Sequence, residues 1–312
     1  MVGGGEGAFI GAVHRSAASL DGDLELVCGA FSSDAERSRR AGASLHLDPA
    51  RCYADYREMF ASEAKRRVAA ESRSHTEGDS MDFVVIVTPN HLHFPVAVAA
   101  LKNGFHVLSD KPATVSLADC KKLQSEVEKS ELLYGLTHPY TSYPLIVEAH
   151  QRVAAGQLGT IRKVIVEYTQ GWLADAVERT GNAQAAWRLD PAKAGPSGCF
   201  GDIGVHAFNL VEFVTGLRVT ELCADLNHIV EGRALDDDGV ALLRFDNDAR
   251  GVLVASQVCT GEENALRLRV YGESASLDWS QQEPNSLWLK HKHRATELLR
   301  SGTGQLGTAA RY

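Results

Sequence analysis

From the N-terminus to Thr137 the chain alternates short apolar runs with helical patterns, and no other feature restricts its fold as much. Leu24 to Phe31 (LELVCGAF) and Asp82 to Thr88 (DFVVIVT) read as buried strands, the second closed by Pro89. Phe105 to Ser109 and Leu132 to Thr137 read as two more. Between them lie helical patterns over Asp34 to Ala43, Asp55 to Ala64, His91 to Asn103 and Ser116 to Lys129. Gly104 supplies a C-terminal stop for the third, and the Ser116 hydroxyl an N-cap for the fourth. Strands joined through helices pair in parallel, because a parallel neighbour can be reached only by a crossover. The polar stretch from Ser62 to Ser80 reads as a helix extension followed by an exposed loop.

The second half has a different pattern. Ser142 and Pro144 open a helix that stops at Gly156. Strand-like segments follow at Lys163 to Gln170, Val219 to Ile229, Val240 to Phe245, Gly251 to Gln257 and Leu266 to Tyr271, with shorter ones at Ser276 to Trp279 and Ser286 to Lys290. Phe245-Asp246-Asn247-Asp248 reads as a hairpin connection. One strong helix, from about Asp202 to Thr215, interrupts the series. The expected architecture is an α/β domain with a parallel sheet over residues 1–139. An α+β domain with a large, mostly antiparallel sheet is expected over 140–312. A length of 312 residues agrees with two domains.

Composition removes several classes of function. With 32 basic and 40 acidic residues the formal net charge is −8, which opposes the counterion release that non-specific nucleic-acid binding needs. Apolar runs such as Phe83 to Val87 are too short to span a bilayer. The six cysteines stand far apart with no C-x-x-C pair, so they read as reduced thiols of a cytoplasmic protein. No signal peptide is visible, because glycines and Glu6 break the apolar start. His91-x-His93 and His291-x-His293 have paired spacing, but no cysteine or carboxylate set completes a metal site.

Gly3-Gly4-Gly5-Glu6-Gly7-Ala8 fits G-x-G-x-x-G/A. In that pattern the first glycine makes a tight turn, the second lets the backbone approach a pyrophosphate, and the small third residue lets helix and strand pack closely. A glycine run at this position reads equally as a flexible tail. Two neighbours favour the phosphate loop: the helical IGAVHRSAA follows at once, and the next strand arrives where such a unit requires it. Gly3, Gly5, Ala8, Phe9 and Ile10 are therefore candidate contacts to a dinucleotide. The following strand ends in Ser32-Ser33-Asp34, with Arg37 one turn into the helix, and lacks the usual ribose-binding carboxylate at its tip. Hydroxyls beside an arginine suit a 2′-phosphate, so NAD or NADP is expected, with NADP slightly favoured. Arg37, Arg39 and Arg40 read equally as a solvated helix face.

Three further segments are distinctive in their order: Thr88-Pro89-Asn90-His91-Leu92-His93, Ser109-Asp110-Lys111-Pro112 and Gly201-Asp202-Ile203-Gly204-Val205-His206. With the glycine loop they resemble the Gfo/Idh/MocA family of NAD(P)-dependent oxidoreductases over essentially the whole chain. The family usually carries E-K-P where this chain has Asp110-Lys111-Pro112; the shorter acid keeps the charge. The resemblance implies that Thr88, Pro89, Asn90, His93, Asp110, Lys111 and Pro112 border the cofactor, and that Lys111, Asp202 and His206 are catalytic. Family members normally start with a complete strand before the glycine loop and run some tens of residues further. The resemblance therefore implies a first strand cut short to Met1 and Val2, and a shortened C-terminal end.

The chemistry implied is reversible oxidation of a secondary alcohol on a sugar or polyol such as an inositol. Asp202 and His206 lie four residues apart, on one face at the start of a helix. A histidine, with an ordinary pKa of about 6.5, can take the hydroxyl proton near neutral pH. Lys111 would hold the oxygen and stabilise developing alkoxide, and Asp202 would orient the histidine or bind a neighbouring hydroxyl; lysine and histidine could exchange the base role. Taken singly, Asp202 reads as an N-cap and His206 as a packed core residue. His138, Tyr140, Trp172 and Arg188 are candidate substrate contacts, with a core tryptophan and a surface arginine as the plainer readings of the last two. Two other functions fit the same motifs: a family glycosidase that uses NAD for transient oxidation, and a non-enzymatic nucleotide-binding protein. The expected partners are a small sugar or polyol and, through the second domain's sheet, another copy of the chain; no nucleic acid and no membrane are expected.

Overall fold

The computed structural model describes residues 1–71, 80–302, 304 and 306–310, and the chain divides into two compact units, Met1–Thr137 and His138–Tyr312. The first runs β1 (Val2–Gly3), α1 (Phe9–Ala18), α2 (Ala35–Ser44), α3 (Tyr56–Glu71), β2 (Phe83–Val87), α4 (His93–Lys102), β3 (His106–Ser109), α5 (Leu117–Ser130) and β4 (Tyr134–Leu136). Its strands pair in parallel in the order β1-β2-β3-β4. β2 is a run of β-branched residues because the sheet carries helices that bury such strands. α4 buries Val96, Ala97, Ala100 and Leu101 in a core with Ile86, Phe60 and Phe105.

One expected strand is mostly absent. Within Leu24 to Phe31 only Gly29 and Ala30 form bridges, to Cys52 and Val2. The Ala30 amide donates to the Met1 carbonyl and the Gly3 amide to the Ala30 carbonyl, both at 2.9 Å. With β1 only two residues long, the residues before Gly29 have no ladder to join. Helix α3 continues past the expected Ala64, and the loop expected to follow it falls outside the described residues. Ser116 caps α5 as expected, its hydroxyl accepting from the Asp119 amide.

The second unit contains α6 (Pro144–Ala154), β5 (Ile161–Thr169), α7 (Ala183–Arg188), α8 (Pro191–Ala194), α9 (Val205–Thr215) and seven further strands. These are β6 (Val219–Asn227), β7 (Asp238–Phe245), β8 (Arg250–Ser256), β9 (Ala265–Gly272), β10 (Ala275–Ser280), β11 (Ser286–His291) and β12 (Glu297–Arg300). They form one sheet in the order β12-β11-β10-β9-β5-β8-β7-β6, antiparallel except for the β5–β8 pair. The expected hairpin joins β7 to β8, with Asp248 at a φ of 66°. One face packs on α6 and α9 through Leu145, Ile146, Val166, Leu210, Leu253, Leu268 and Trp279. The other is open, with Val240, Leu242 and Trp288 exposed. Helices α7 and α8 were not expected from the sequence; six and four residues carry too little periodicity to register, although Asn182 and Asp190 cap them.

A buried carboxylate fixes the entry to α9. Asp236 accepts from the Gly198 amide at 2.8 Å and the Ser197 hydroxyl at 2.9 Å through Oδ1, and from the Phe200 amide at 2.8 Å through Oδ2. The chain then takes a π-turn over Phe200–Gly204, with the Val205 amide reaching the Phe200 carbonyl, before α9 begins. Replacing Asp236 with Ala strands these buried donors at about 1–3 kcal/mol each. We expect Asp236→Ala to lower unfolding stability by about 2–4 kcal/mol in urea titrations, against less than about 0.5 kcal/mol for Leu133→Ser at an exposed position of the first unit.

Candidate active site

The first unit carries a backbone cradle between β1 and α1. Gly3 sits at a φ of +81°, and a Cβ there would stand 2.7 Å from the Val87 carbonyl oxygen. A Cβ on Gly5 would stand 2.8 Å from the Phe31 carbonyl oxygen, so both positions exclude a side chain. Ala8 is the N-cap of α1 and offers no side-chain acceptor to the first amides of that ten-residue helix. Those amides and the helix dipole favour an anion at this end. Ile10 packs beside Met1 and Phe31, whereas Phe9 lies largely exposed.

Gly11 was not among the expected site residues. Its Cα lies so near Gly4 that an added Cβ would stand 2.5 Å from the Gly4 Cα. The available signal was a glycine inside an otherwise helical run, which usually marks a close backbone approach. Arg15, one turn further, donates from Nη1 to the Gly4 carbonyl at 2.9 Å and ties helix to loop.

The other expected cofactor residues of this unit follow strand ends. Ser32 is half-buried while Ser33 and Arg37 are exposed. The Asp34 carboxylate caps α2 by accepting from the Arg37 amide at 2.8 Å. After β2, Thr88, Pro89 and Asn90 lead into a short 3-10 turn, and the Thr88 hydroxyl is buried without a hydrogen-bond partner among the described residues. His93 is buried at the start of α4, and its ring spans two backbone carbonyls, Pro112 from Nδ1 at 2.6 Å and Thr88 from Nε2 at 2.9 Å. Burial holds its pKa below the ordinary histidine value, against the pull of those two carbonyls. The neutral ring donates to one of the two carbonyls and sets its other nitrogen against the second, so it lies between the Thr88 loop and the Asp110-Lys111-Pro112 loop. Asp110 accepts from the Lys111 amide at 2.9 Å and the Thr137 hydroxyl at 2.8 Å, which sets the backbone that presents Lys111.

The second unit gathers the remaining candidates. Asp202 lies in the π-turn and His206 in the first turn of α9. The His206 ring stands edge-on to Tyr140 at 4.9 Å between centroids and to His138 at 5.5 Å. Arg188 places Nε 3.4 Å from Asp202 Oδ2, while its Nη1 is held by Gln184 Oε1 at 2.8 Å. Trp172 joins through Gln170, donating from Nε1 to Oε1 at 3.0 Å. His138, Tyr140, Arg188, Asp202 and His206 therefore form one cluster, with Trp172 linked at its edge. Among residues the sequence did not single out, Tyr168 donates to Asn264 at 2.6 Å, and Gln257 donates to Asp202 at 3.0 Å. The signal for Tyr168 was a phenol at an inward position of β5, where a buried hydroxyl needs a partner. Burial, then the nearby Tyr140, push its pKa above the ordinary tyrosine value.

The features of the first unit suit a dinucleotide: two glycines that a Cβ would block, a helix start without a side-chain cap, and a buried hydroxyl left to a ligand. No group of three or more metal-binding side chains that could hold an ion occurs among the described residues. Residues 1–138 match the oxidoreductase family with an NAD-binding Rossmann fold, and residues 146–278 the GFO/IDH/MocA C-terminal domain. An uncharacterised oxidoreductase of Bacillus subtilis, YfiI, is 34% identical over 291 residues, covering 92% of this chain and 71% of its own. The crystal structure of an inositol dehydrogenase homologue from Azotobacter vinelandii with NAD+ aligns at a TM-score of 0.93 and 36% identity, covering 99% of this chain and 77% of that one. The same homologue with NADH and myo-inositol aligns at 0.89 and 35%, with coverage of 99% and 77%. The chain belongs to the Gfo/Idh/MocA family of NAD(P)-dependent oxidoreductases.

The glycine cradle makes a direct prediction. Gly11→Val forces α1 away from Gly4, and we expect at least a tenfold loss of NADH affinity, read by nicotinamide fluorescence on titration.

Proposed function

We propose that this protein interconverts a secondary alcohol and a ketone on a sugar or polyol, with an inositol as the first candidate substrate. The observation that carries this reading is the second unit's cluster. A carboxylate and an imidazole, one helical turn apart, are joined there by an arginine, a tyrosine and a second histidine. Such a set offers several hydrogen-bonding groups to a polyhydroxylated ring and a base for one of its hydroxyls. The Azotobacter homologue, whose structure holds NADH and myo-inositol, supports the substrate class.

The bound dinucleotide supplies the hydride acceptor. His206 takes the proton of the reacting hydroxyl in the oxidative direction and returns it in the reductive one. Lys111 stabilises alkoxide character as it develops. Asp202 holds His206 or a neighbouring hydroxyl, and His138, Tyr140, Trp172 and Arg188 select the substrate. Gly3, Gly5, Ala8, Phe9, Ile10, Ser32, Ser33, Arg37, Thr88, Pro89, Asn90, Asp110, Lys111 and Pro112 hold the dinucleotide. His93 serves that half by bracing the loop of Lys111.

Both NAD and NADP fit this assignment. NADP is favoured by Arg37 beside two serines, where Asp34 spends an oxygen on the helix cap. The open sheet face with Val240, Leu242 and Trp288 is the surface through which the chain pairs with a copy of itself, and six free cysteines suit the cytoplasm.

A panel of sugars and inositols, each assayed with NAD and NADP separately, tests the function. We expect turnover of at least one cyclic polyol or sugar, reduced about a thousandfold or more in Lys111→Ala when measured at saturating cofactor. Glycoside cleavage without net NADH would replace this reading with the glycosidase one.

A further inference from the structure

Behind Asp202 runs a line of side chains whose donors and acceptors follow from its two ends. Trp172 Nε1 can only donate, and it gives its proton to Gln170 Oε1 at 3.0 Å. The Gln170 amide therefore turns Nε2 toward Asn264 Oδ1, at 2.7 Å. Asn264 Oδ1 also receives the Tyr168 hydroxyl at 2.6 Å, which leaves the Tyr168 oxygen to accept from the Tyr140 hydroxyl at 2.5 Å. At the other end a carboxylate accepts, so Gln257 must face Asp202 Oδ2 with Nε2, at 3.0 Å. The second proton of that amide lies toward Gln170 Oε1, at 3.2 Å.

Gln257 has little freedom to do anything else. It is only 2% exposed, its amide donates to the Asp237 carbonyl at 2.9 Å, and its carbonyl accepts from the Leu173 amide at 3.1 Å. Too deep to be a substrate contact itself, it has both side-chain protons directed to named acceptors, one of them the Asp202 carboxylate.

We propose that Gln257 is a positioning residue, which fixes the Asp202 carboxylate and ties it through Gln170, Asn264 and Tyr168 to the Tyr140 ring that stands against His206. This rests on the reading above that Asp202 acts in the site. The charged and titratable groups around Asp202 are Arg188 from α7, Tyr168 from β5, Cys199 just before the π-turn, and His206 one turn along α9. Burial first, then Tyr140, pushes the Tyr168 phenol upward, and burial first, then the Asp236 and Asp202 carboxylates, pushes the Cys199 thiol upward, so both stay protonated at neutral pH. Arg188 sets a permanent charge beside Asp202, and Gln257 supplies a neutral donor that a hydrophobic residue of similar size could not.

The test is a carbon-13 titration of the aspartate side-chain carboxyls in the full chain, with the Asp202 signal identified by its loss in Asp202→Asn. Gln257→Leu removes the donor at nearly constant volume, and the Asp202 midpoint should rise by about one pH unit. Gln257→Glu, nearly isosteric, sets a second carboxylate against Asp202 and should raise the midpoint further; it carries the test where the leucine variant does not fold. NADH affinity should stay within twofold of wild type. With myo-inositol and NAD+, kcat should fall about tenfold in Gln257→Leu while KM moves less than twofold. An Asp202 midpoint unchanged in the folded variants overturns the proposal. Wild-type turnover in Asp202→Asn would instead overturn the functional reading beneath it, so the two failures are told apart.

Discussion

The carboxylate of Asp236 fixes the turn from which Asp202 and His206 are presented in the second unit. It gathers the Ser197 hydroxyl and the Gly198 and Phe200 amides at the point where a loop must become a helix. These donors would otherwise be stranded away from water, so the geometry of the turn is bound to the stability of the unit. A π-turn follows at once, and one additional residue in a helical turn is a common way to re-aim side chains at a site. Asp202 sits inside that turn and His206 just after it, and their surroundings depend on the clamp.

The two units solve different problems with different materials. In the first, the backbone is the working part: glycines admit close approach, a helix starts without a side-chain cap, and side chains such as Arg15 and His93 brace the loops. In the second, the backbone is a mostly antiparallel sheet, and side chains such as Asp236, Tyr168 and Gln257 are fixed by hydrogen bonds to named neighbours. Preorganisation of this kind serves catalysis because polar groups held in place need not reorganise as charge develops. Arg233, buried between Glu178 and Asp237, anchors the loop between β6 and β7 in the same manner.

Much of this was legible in the sequence because it rests on local patterns. The parallel sheet followed from alternation such as DFVVIVT before a helix ending at Gly104, and the antiparallel one from period-two runs such as that of β9. The Asp202–His206 pair was singled out by the resemblance of its motif, and its four-residue spacing placed both on one face at a helix start. Pairings distant in sequence were not legible: no local pattern announces that Gln257 reaches Asp202 or that Tyr168 reaches Asn264, across 55 and 96 residues. Nor does a local pattern announce that the His93 ring lies between the carbonyls of Thr88 and Pro112. The strand expected over Leu24 to Phe31 was apolar enough, but strand character depends on a partner, and β1 is only two residues long.

Deuterium placed on the carbinol carbon of whichever sugar or polyol turns over gives the most direct test of the chemistry. The account predicts that the label appears on C4 of the nicotinamide ring in the reduced cofactor, one atom per turnover, with a primary isotope effect when hydride transfer limits the rate. Label released to water, or unlabelled reduced cofactor, would contradict it.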